Sequence, residues 1–307
     1  MKSNPPDYGN ESKVPDDLAA AIERARPRLG RLASTILFFE TTGSTNDEAA
    51  KRSASPPASA PPQNTGATAW LAEAPEARRR QPQATSAEGL VIVADAQTAG
   101  RGRRGHAWFS PPGSGLYVSV VLAPATAAHD PAKATTLLTL AAGVALAEGI
   151  ERASGLRIDL KWPNDLQVSR RKLGGILAES SGAGDRSDTV VVGYGINVRS
   201  TALPPELRDT ATSLESELGR AIDRDDLLAE TLAALSRRYE DLLAGRFDAI
   251  LDAWRRLAPA AAGARVTWTT NAGTASGVTA GIDDLGALLV RVDDRVERIV
   301  SGEVVWL

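Results

Sequence analysis

The chain has 307 residues, 43% of them hydrophobic, which is enough to bury one large core and a small satellite domain. Its 35 Lys+Arg and 38 Asp+Glu give a net charge of -3, without the positive excess of a dedicated nucleic-acid-binding domain. The absence of cysteine excludes disulfides and cysteine nucleophiles, and two histidines are too few for a histidine-rich metal site.

The N-terminal part is predicted to hold a short helix, a strand and a second helix. Residues 1–13 have no apolar period and are expected to be disordered, and residues 15–26 predict a short helix with acidic residues in its first turn. ILFFE, residues 36–40, is typical of a strand. A helix starting near Asn46 follows, capped by one of the two hydroxyl residues before it.

Residues 53–88 differ from the rest of the chain in composition. They are rich in proline, alanine and serine, and they predict a long disordered insertion. No stretch near the N-terminus has the apolar core of a signal peptide, and no apolar run reaches membrane-spanning length. A cytoplasmic location is therefore the default expectation.

GLVIVA, residues 89–94, predicts a strand that leads into the glycine-rich stretch AGRGRRG at 99–105. GRGRRG matches the dinucleotide-binding fingerprint, which works only where a helix follows it. Residues 106–113 instead contain two prolines, and the alternating strand LYVSVVL comes next. The dinucleotide interpretation is rejected. The arginines of this loop are suited to bind phosphate or carboxylate oxygens. Two alternatives to anion binding are a hairpin whose arginines face only solvent, and a nucleic-acid contact assisted by the arginines at 78–80.

The remainder of the chain predicts helices around an antiparallel sheet. Asp130 and Pro131 mark the start of a helix that reaches Ser154 and ends at Gly155. Three strand candidates follow: RIDLKW (157–162), KLGGILAES (172–180) and TVVVGYGINV (189–198). Two helices are predicted at 223–244 and 247–258. Past Ala262, the short strands RVTWTT, ASGVTAGI, ALLVRV and RIVSGEVVWL predict a small β-barrel.

Three motifs in this region contain residues that could contact a ligand. In KWPNDL, Lys161 stands at a strand end where Pro163 stops the pairing, so its ammonium can enter a cleft; an ordinary strand-end lysine beside a β-turn is the alternative. The paired glycines of KLGGILAES indicate close approach of a ligand or neighbouring strand, or a bulge. Asn197 of GYGINV suits a phosphate or a metal ion, and a turn asparagine is the equally common interpretation.

The combination of motifs is more specific than any one of them. In chain order they are GSTND, Gln97 with AGRGRRG, WFSPPGSGLYVS, KWPND, KLGGILAE and GYGIN. Together they resemble the biotin protein ligase family, also called biotin-[acetyl-CoA-carboxylase] ligases, over about residues 35–245 and on through the C-terminal β domain. The resemblance implies that biotin and ATP form biotinyl-5'-AMP and pyrophosphate. Biotin then passes to one lysine of a biotin carboxyl carrier protein of acetyl-CoA carboxylase or a related carboxylase.

The resemblance also implies an α+β fold. Its class II synthetase-like catalytic domain has a mixed, mostly antiparallel sheet flanked by helices, and an SH3-like β-barrel follows. The expected domains are 1–34 as tail and short helix, 35–260 as catalytic domain with the insertion 53–88, and 261–307 as barrel. The N-terminal region is too small for the winged helix of some relatives, so no DNA binding is expected. No membrane binding is expected either, because no apolar run is long enough to span a membrane. Family members vary between monomer and dimer, and a homodimer is one expectation.

Site roles follow from the resemblance and from the chemistry of two anions that must react. A carboxylate meets a phosphate only if fixed positive charge stabilises the oxygens that gain charge. The predicted catalytic residues are Lys161, Arg103 and Arg101. The predicted biotin-binding residues are Ser44, Thr45, Asn46, Gln97, Arg101, Gly102, Arg103 and Lys161. The predicted ATP- or adenylate-binding residues are Arg103, Arg104, His106, Trp108 and Asn197. ATP and Mg²⁺ are implied, without assigned metal ligands.

Two further expectations concern the glycine loop and the acyl group. An acyl adenylate must be shielded from water, so residues 100–105 are expected to order over it, with arginines that gain partners only when an anionic ligand binds. His106 stands where many relatives have arginine, which changes the charge there. A lipoate or octanoate ligase or transferase of the same fold is the alternative function, although Gln97 with GRGRRG favours biotin.

Overall fold

The computed structural model describes residues 11–54, 87–181, 189–207, 209–270 and 273–307. Most of the predicted tail and insertion, with the arginines at 78–80, lies outside the described residues. Their described margins are ordered, contrary to the prediction for those few positions. The backbone N–H of Ser12 donates to the carbonyl of Phe38 at 2.9 Å. Ser53 belongs to the second helix, and Glu88 lies in a turn that leads into a strand.

The larger sheet has seven strands, each built on an apolar or alternating run: β1 Thr35–Thr42, β2 Leu90–Gln97, β3 Gly115–Leu122, β4 Asp159–Lys161, β5 Asp165–Val168, β6 Arg171–Ser181 and β7 Thr189–Asn197. Their order across the sheet is β1-β2-β3-β7-β6-β5-β4. β1 pairs with β2 in parallel. Every other pair of neighbouring strands across the sheet is antiparallel. This confirms the predicted mixed, mostly antiparallel sheet.

The helices are α1 Asp16–Ala25, α2 Thr45–Ala54, α3 Pro131–Ser154, α4 Leu214–Leu218, α5 Arg224–Leu243 and α6 Phe247–Leu257. α3 begins as predicted, since the Asp130 carboxylate accepts from the Lys133 backbone N–H at 3.0 Å, and Gly155 ends it at φ 78°. Contrary to expectation, α3 is long and apolar enough to cross a membrane. It is the core helix of this fold, because 72% of its most apolar window is buried.

Strand alternation gives the sheet two different faces. Val91, Val93 and Val118 point into the main core beneath α3 and α5. Ile92 and Ala94 point the other way, into a smaller cluster beneath α2. This second face is covered by one short helix, so the polar residues that line it remain within reach of a ligand.

Two elements of the catalytic region escape the sequence patterns. β5 is absent from the predicted strands, because its hairpin with β6 closes through Ser169 (φ 51°) and Arg170 (φ 66°) rather than through a recognisable Asn-Gly pair. α4 is only five residues long, which is too short to show a helical period. The remaining predicted helices and strands of this region are present within a few residues of their predicted bounds.

The C-terminal region is a five-stranded antiparallel sheet in the order β11-β10-β9-β8-β12. Its strands are β8 Ala262–Thr270, β9 Gly273–Ile282, β10 Leu288–Val292, β11 Arg295–Ile299 and β12 Val304–Trp306. The single strand predicted for RIVSGEVVWL is wrong, because the chain turns at Gly302 (φ 132°) and gives two strands. The indole N–H of Trp162 donates to the carbonyl of Gly286 at 2.9 Å, which joins this region to the larger sheet.

Candidate active site

A cleft of about 580 Å³ opens on the sheet face that carries α2. Its walls are α2, the loop before β3, strands β6 and β7, and the turn before β12. All the predicted site residues line this one cleft: Ser44, Thr45, Asn46, Gln97, Arg101, Gly102, Arg103, Arg104, His106, Trp108, Lys161 and Asn197. The fold therefore brings together residues spread over more than half of the chain. Their individual roles stay predictions.

One side of the cleft floor is a chain of neutral hydrogen bonds. The side-chain oxygen of Gln97 accepts from the backbone N–H of Thr45 at 2.9 Å and from its hydroxyl at 3.2 Å. The Gln97 amide nitrogen donates to the Ser110 hydroxyl at 2.9 Å. Because Thr45 starts α2 and Gln97 ends β2, these bonds fix the helix start against the strand end. Ser44 beside them is buried as well.

Asn46 forms the centre of the floor and is held from two sides. Its Oδ1 accepts from the Ser119 hydroxyl at 2.6 Å, and its Nδ2 donates to Glu179 Oε2 at 2.7 Å. It lies over Gly193, where an added Cβ would overlap the Asn46 amide. Ser119 and Gly193 are partners in the β3–β7 ladder. The sheet register thus determines the Asn46 pocket, with only 5% of Asn46 exposed.

The glycine loop folds into a closed turn. The N–H of Gly102 donates to the carbonyl of His106 at 2.7 Å, and the N–H of Trp108 donates to the carbonyl of Gly100 at 2.8 Å. Arg104 has φ 58° and Gly105 has φ 78°, so a helix cannot continue from this turn. The rejection of the dinucleotide fingerprint is confirmed. Arg104 and His106 are exposed at the rim of the cleft.

Arg101 is paired within the protein. Its guanidinium lies 2.8 Å from Asp47 and 3.0 Å from Glu179. Burial lowers the Arg101 pKa, but the attraction of the two carboxylates outweighs it, and the net pKa is raised. The expectation that this arginine gains partners only with an anionic ligand is wrong for Arg101.

The charge of Arg103 is less neutralised by carboxylates than the charge of Arg101. Its guanidinium donates to Asn164 Oδ1 at 3.3 Å, which is a neutral partner. Burial, followed by repulsion from Arg104, lowers the Arg103 pKa, and Asp165 opposes this only in part. Guanidinium groups stay protonated in proteins even so. Arg103 therefore offers the cleft a desolvated cation whose interaction with an anion is weakly screened.

Two lysines flank Asp165 in the same cleft. Lys161 is half-buried, and burial lowers its pKa. Lys172, which the sequence interpretation did not assign, lies 2.7 Å from Asp165 and 5.6 Å from the centre of the Trp108 ring. Its only signal in the sequence is its place two residues before the paired glycines of KLGGILAES. Gly174 confirms the predicted close approach of a neighbouring strand, because a Cβ there would lie 2.7 Å from the carbonyl oxygen of Gly195. The approach of a ligand to these glycines stays a prediction.

Trp108 lies across β7, where Gly195 leaves room for its ring. A Cβ on Gly195 would come within 2.5 Å of the indole Cε2. The indole Nε1–H finds no hydrogen-bond partner among the described residues, and it is buried against Gly195 rather than open to the cleft. Asn197 is buried further along β7, where its Nδ2 donates to the carbonyl of Thr212 at 3.1 Å and leaves its Oδ1 for another partner.

The described residues contain no group of three or more Asp, Glu or His side chains that could cage a metal ion. Mg²⁺ usually keeps several waters and uses one or two protein oxygens together with substrate phosphates. A Mg²⁺ ion in this cleft would draw most of its ligands from substrate phosphate oxygens and water.

Family comparison gives two separate matches. Residues 76–197 match the biotin/lipoate A/B protein ligase family, and residues 262–306 match the biotin protein ligase C-terminal domain. The first match ends at Asn197 and includes the glycine loop and both cleft lysines. The second covers the five-stranded sheet.

Relatives give the same result over longer spans. The chain is 35% identical over 218 residues to a biotin--[acetyl-CoA-carboxylase] ligase of Paracoccus denitrificans, covering 69% of this chain and 88% of the relative. It is 39% identical over 219 residues to the bifunctional ligase/repressor BirA of Bacillus spizizenii, covering 71% of this chain but 66% of that relative. A biotin protein ligase from Aquifex aeolicus in complex with biotin and ATP superposes with TM-score 0.68 at 26% identity, covering 89% and 99% of the two chains.

Proposed function

The chain belongs to the biotin protein ligase family, and we propose that it is an ATP-dependent biotin-[acetyl-CoA-carboxylase] ligase. The observation that carries the proposal is the convergence of Arg103, Lys161 and Lys172 with a neutral, hydrogen-bonded floor in one cleft. Such a floor suits an uncharged polar ring. The cations suit the carboxylate and phosphate oxygens that must approach each other.

The first proposed step joins the biotin carboxylate to the α-phosphate of ATP with release of pyrophosphate. Both reactants are anions, and the desolvated cations of the cleft stabilise the charge that collects on the phosphorus oxygens. Thr45, Asn46 and Gln97 hold the ureido end of biotin in this proposal. Trp108 offers the face of its ring on the adenylate side in this proposal, with Arg104, His106 and Asn197 nearby.

In the second proposed step, a lysine amine of the carrier domain attacks the acyl carbon of biotinyl-5'-AMP and AMP leaves. The acceptor is itself the nucleophile, so no cysteine of the enzyme is required. We propose the biotin carboxyl carrier protein of acetyl-CoA carboxylase or a related carboxylase as partner, ATP with Mg²⁺ as co-substrate and the cytoplasm as compartment. A homodimer stays a prediction.

The test is biotin-dependent exchange of labelled pyrophosphate into ATP, followed by transfer of labelled biotin to a carrier domain. We expect exchange with biotin and none above background with lipoate or octanoate. Exchange with lipoate but not biotin would assign the chain to the alternative acyl ligase. The match of residues 262–306 to a biotin ligase domain favours biotin.

The decline of the pyrophosphate exchange rate at alkaline pH is expected to follow the deprotonation of Lys161. Burial lowers its pKa; Asp165 and Glu303 oppose the shift, whereas Lys172 and Arg170 add to it. The ammonium is present below this lowered pKa and is lost as pH rises through it. The exchange rate should therefore decline at a lower pH than an ordinary lysine would give.

The measurement is kcat for exchange between about pH 7 and 10.5. Lys161→Arg keeps a charge at this position over the whole range, so its rate, although lower, should begin to decline only at a higher pH than the wild-type rate. An identical decline in wild type and Lys161→Arg would contradict the assignment.

A further inference from the structure

One oxygen of Glu179 joins the cleft floor to the glycine loop. Glu179 Oε2 accepts from Asn46 Nδ2 at 2.7 Å and from Arg101 Nη2 at 3.0 Å. Glu179 lies on β6, where it pairs with Val191 of β7, so its backbone is fixed by the sheet. A rigid strand thus holds one residue of the buried floor and one residue of the loop at a common point.

Asp47 provides the second contact to the loop. It lies one residue after Asn46 in α2, and its carboxylate is 2.8 Å from the Arg101 guanidinium. Arg101 is flanked by Gly100 and Gly102, which place little restriction on the backbone. The two carboxylates therefore supply the restriction that the loop sequence lacks.

These contacts matter more for the position of the Arg101 side chain than for the stability of the fold. The side chains of Arg101 and Glu179 are 40% and 42% exposed, and ion pairs this accessible contribute little to folding because water screens them. Holding a long side chain in one position before it meets its ligand still improves binding, since less conformational freedom is lost at that moment.

On the basis of the proposed ligase activity, we propose that Glu179 is a positioning residue that sets the Asn46 amide and the Arg101 guanidinium from a single oxygen. Asp47 holds Arg101 from the other side. The biotin floor and the glycine loop are then coupled through Glu179, whereas Asp47 acts on the loop alone. Neither carboxylate needs to touch substrate.

The test compares Glu179→Ala, Glu179→Gln and Asp47→Ala in biotin-dependent pyrophosphate exchange. Glu179→Ala should raise the KM for biotin about tenfold with a smaller change in kcat, as expected for one solvent-screened, charge-assisted hydrogen bond. Glu179→Gln keeps a carbonyl acceptor for both donors and should restore KM to within about threefold of wild type. Asp47→Ala should change the KM for biotin less than Glu179→Ala does.

A matched control is Glu240→Ala, which removes a glutamate of similar exposure (44%) paired with Arg31 at 2.9 Å, away from the cleft. It should leave KM and kcat unchanged. A double variant Glu179→Ala/Arg101→Ala should cost less than the product of the single effects, because both remove the same contact.

Multiplicative effects in the double variant, or wild-type KM in Glu179→Ala, would overturn the positioning role. If Glu179→Ala does not fold, Glu179→Leu, which keeps a similar volume and has no acceptor, takes its place in the KM comparison and in the cycle with Arg101→Ala. Wild-type protein that shows no biotin-dependent exchange would instead refute the ligase proposal itself.

Discussion

Replacing either cleft lysine with alanine is expected to lower the rate of biotin-dependent pyrophosphate exchange by about 10²- to 10³-fold, the usual cost of removing one preorganised group that stabilises transition-state charge. Lys161 is half-buried with a lowered pKa, and Lys172 lies between Asp165 and the Trp108 ring. Both can face the oxygens of a reacting carboxylate and phosphate. The decisive measurement is the single-turnover rate of adenylate formation at saturating biotin and ATP.

Lys133→Ala is the control for this pair. Lys133 also lies over an aromatic ring, 5.2 Å from the centre of Phe247, but it belongs to the start of α3 and does not line the cleft. Its removal should leave the rate unchanged. If only Lys172→Ala lowered the rate of adenylate formation, the catalytic role would belong to Lys172 alone. Rates within a few-fold of wild type in both alanine variants would contradict the electrostatic account of the cleft.

The sequence predicts the members of the cleft better than their partners. Gln97, Arg103 and Lys161 stand in short motifs with glycine or proline, whose backbone demands are visible locally. Glu179 is different, because its partner Asn46 lies 133 residues away and its other partner Arg101 lies 78 residues away. Such contacts depend on the register of β6 against β7, which no local pattern encodes.

For the fold as well, the sequence predicts features with a local signal better than features that depend on distant segments. α3 and α5 were predicted from capping residues and apolar periods, which are local signals. The prediction lacks β5, because a two-residue turn without glycine leaves no clear local mark. It also lacks the break at Gly302, although the Ser-Gly pair there is a local turn signal. The pairing of Arg101 with two carboxylates was also unexpected, since charge complementarity between distant segments appears only once the chain is folded.

Gly193→Ala is expected to weaken biotin binding by about 10- to 100-fold, because the added methyl group occupies the place of the Asn46 amide and overpacks the pocket. The Cβ would lie 2.8 Å from Asn46 Cγ and 3.1 Å from Nδ2, and it would overlap Oδ1. Asn46 cannot move aside without losing Ser119 and Glu179, and overpacking of this kind commonly costs about 1–3 kcal/mol of stability. Calorimetric titration with biotin measures the affinity, and a melting curve measures the accompanying loss of stability.

Gly43→Ala separates this effect from the general cost of replacing a glycine. Gly43 precedes the buried start of α2, yet a Cβ there would meet no heavy atom within 4 Å. Its affinity and melting temperature should stay near those of wild type. If Gly193→Ala bound biotin as tightly as Gly43→Ala, the floor formed by Asn46 would not be where the vitamin binds. If both variants lost binding equally, backbone freedom in this region would matter more than the shape of the pocket over β7.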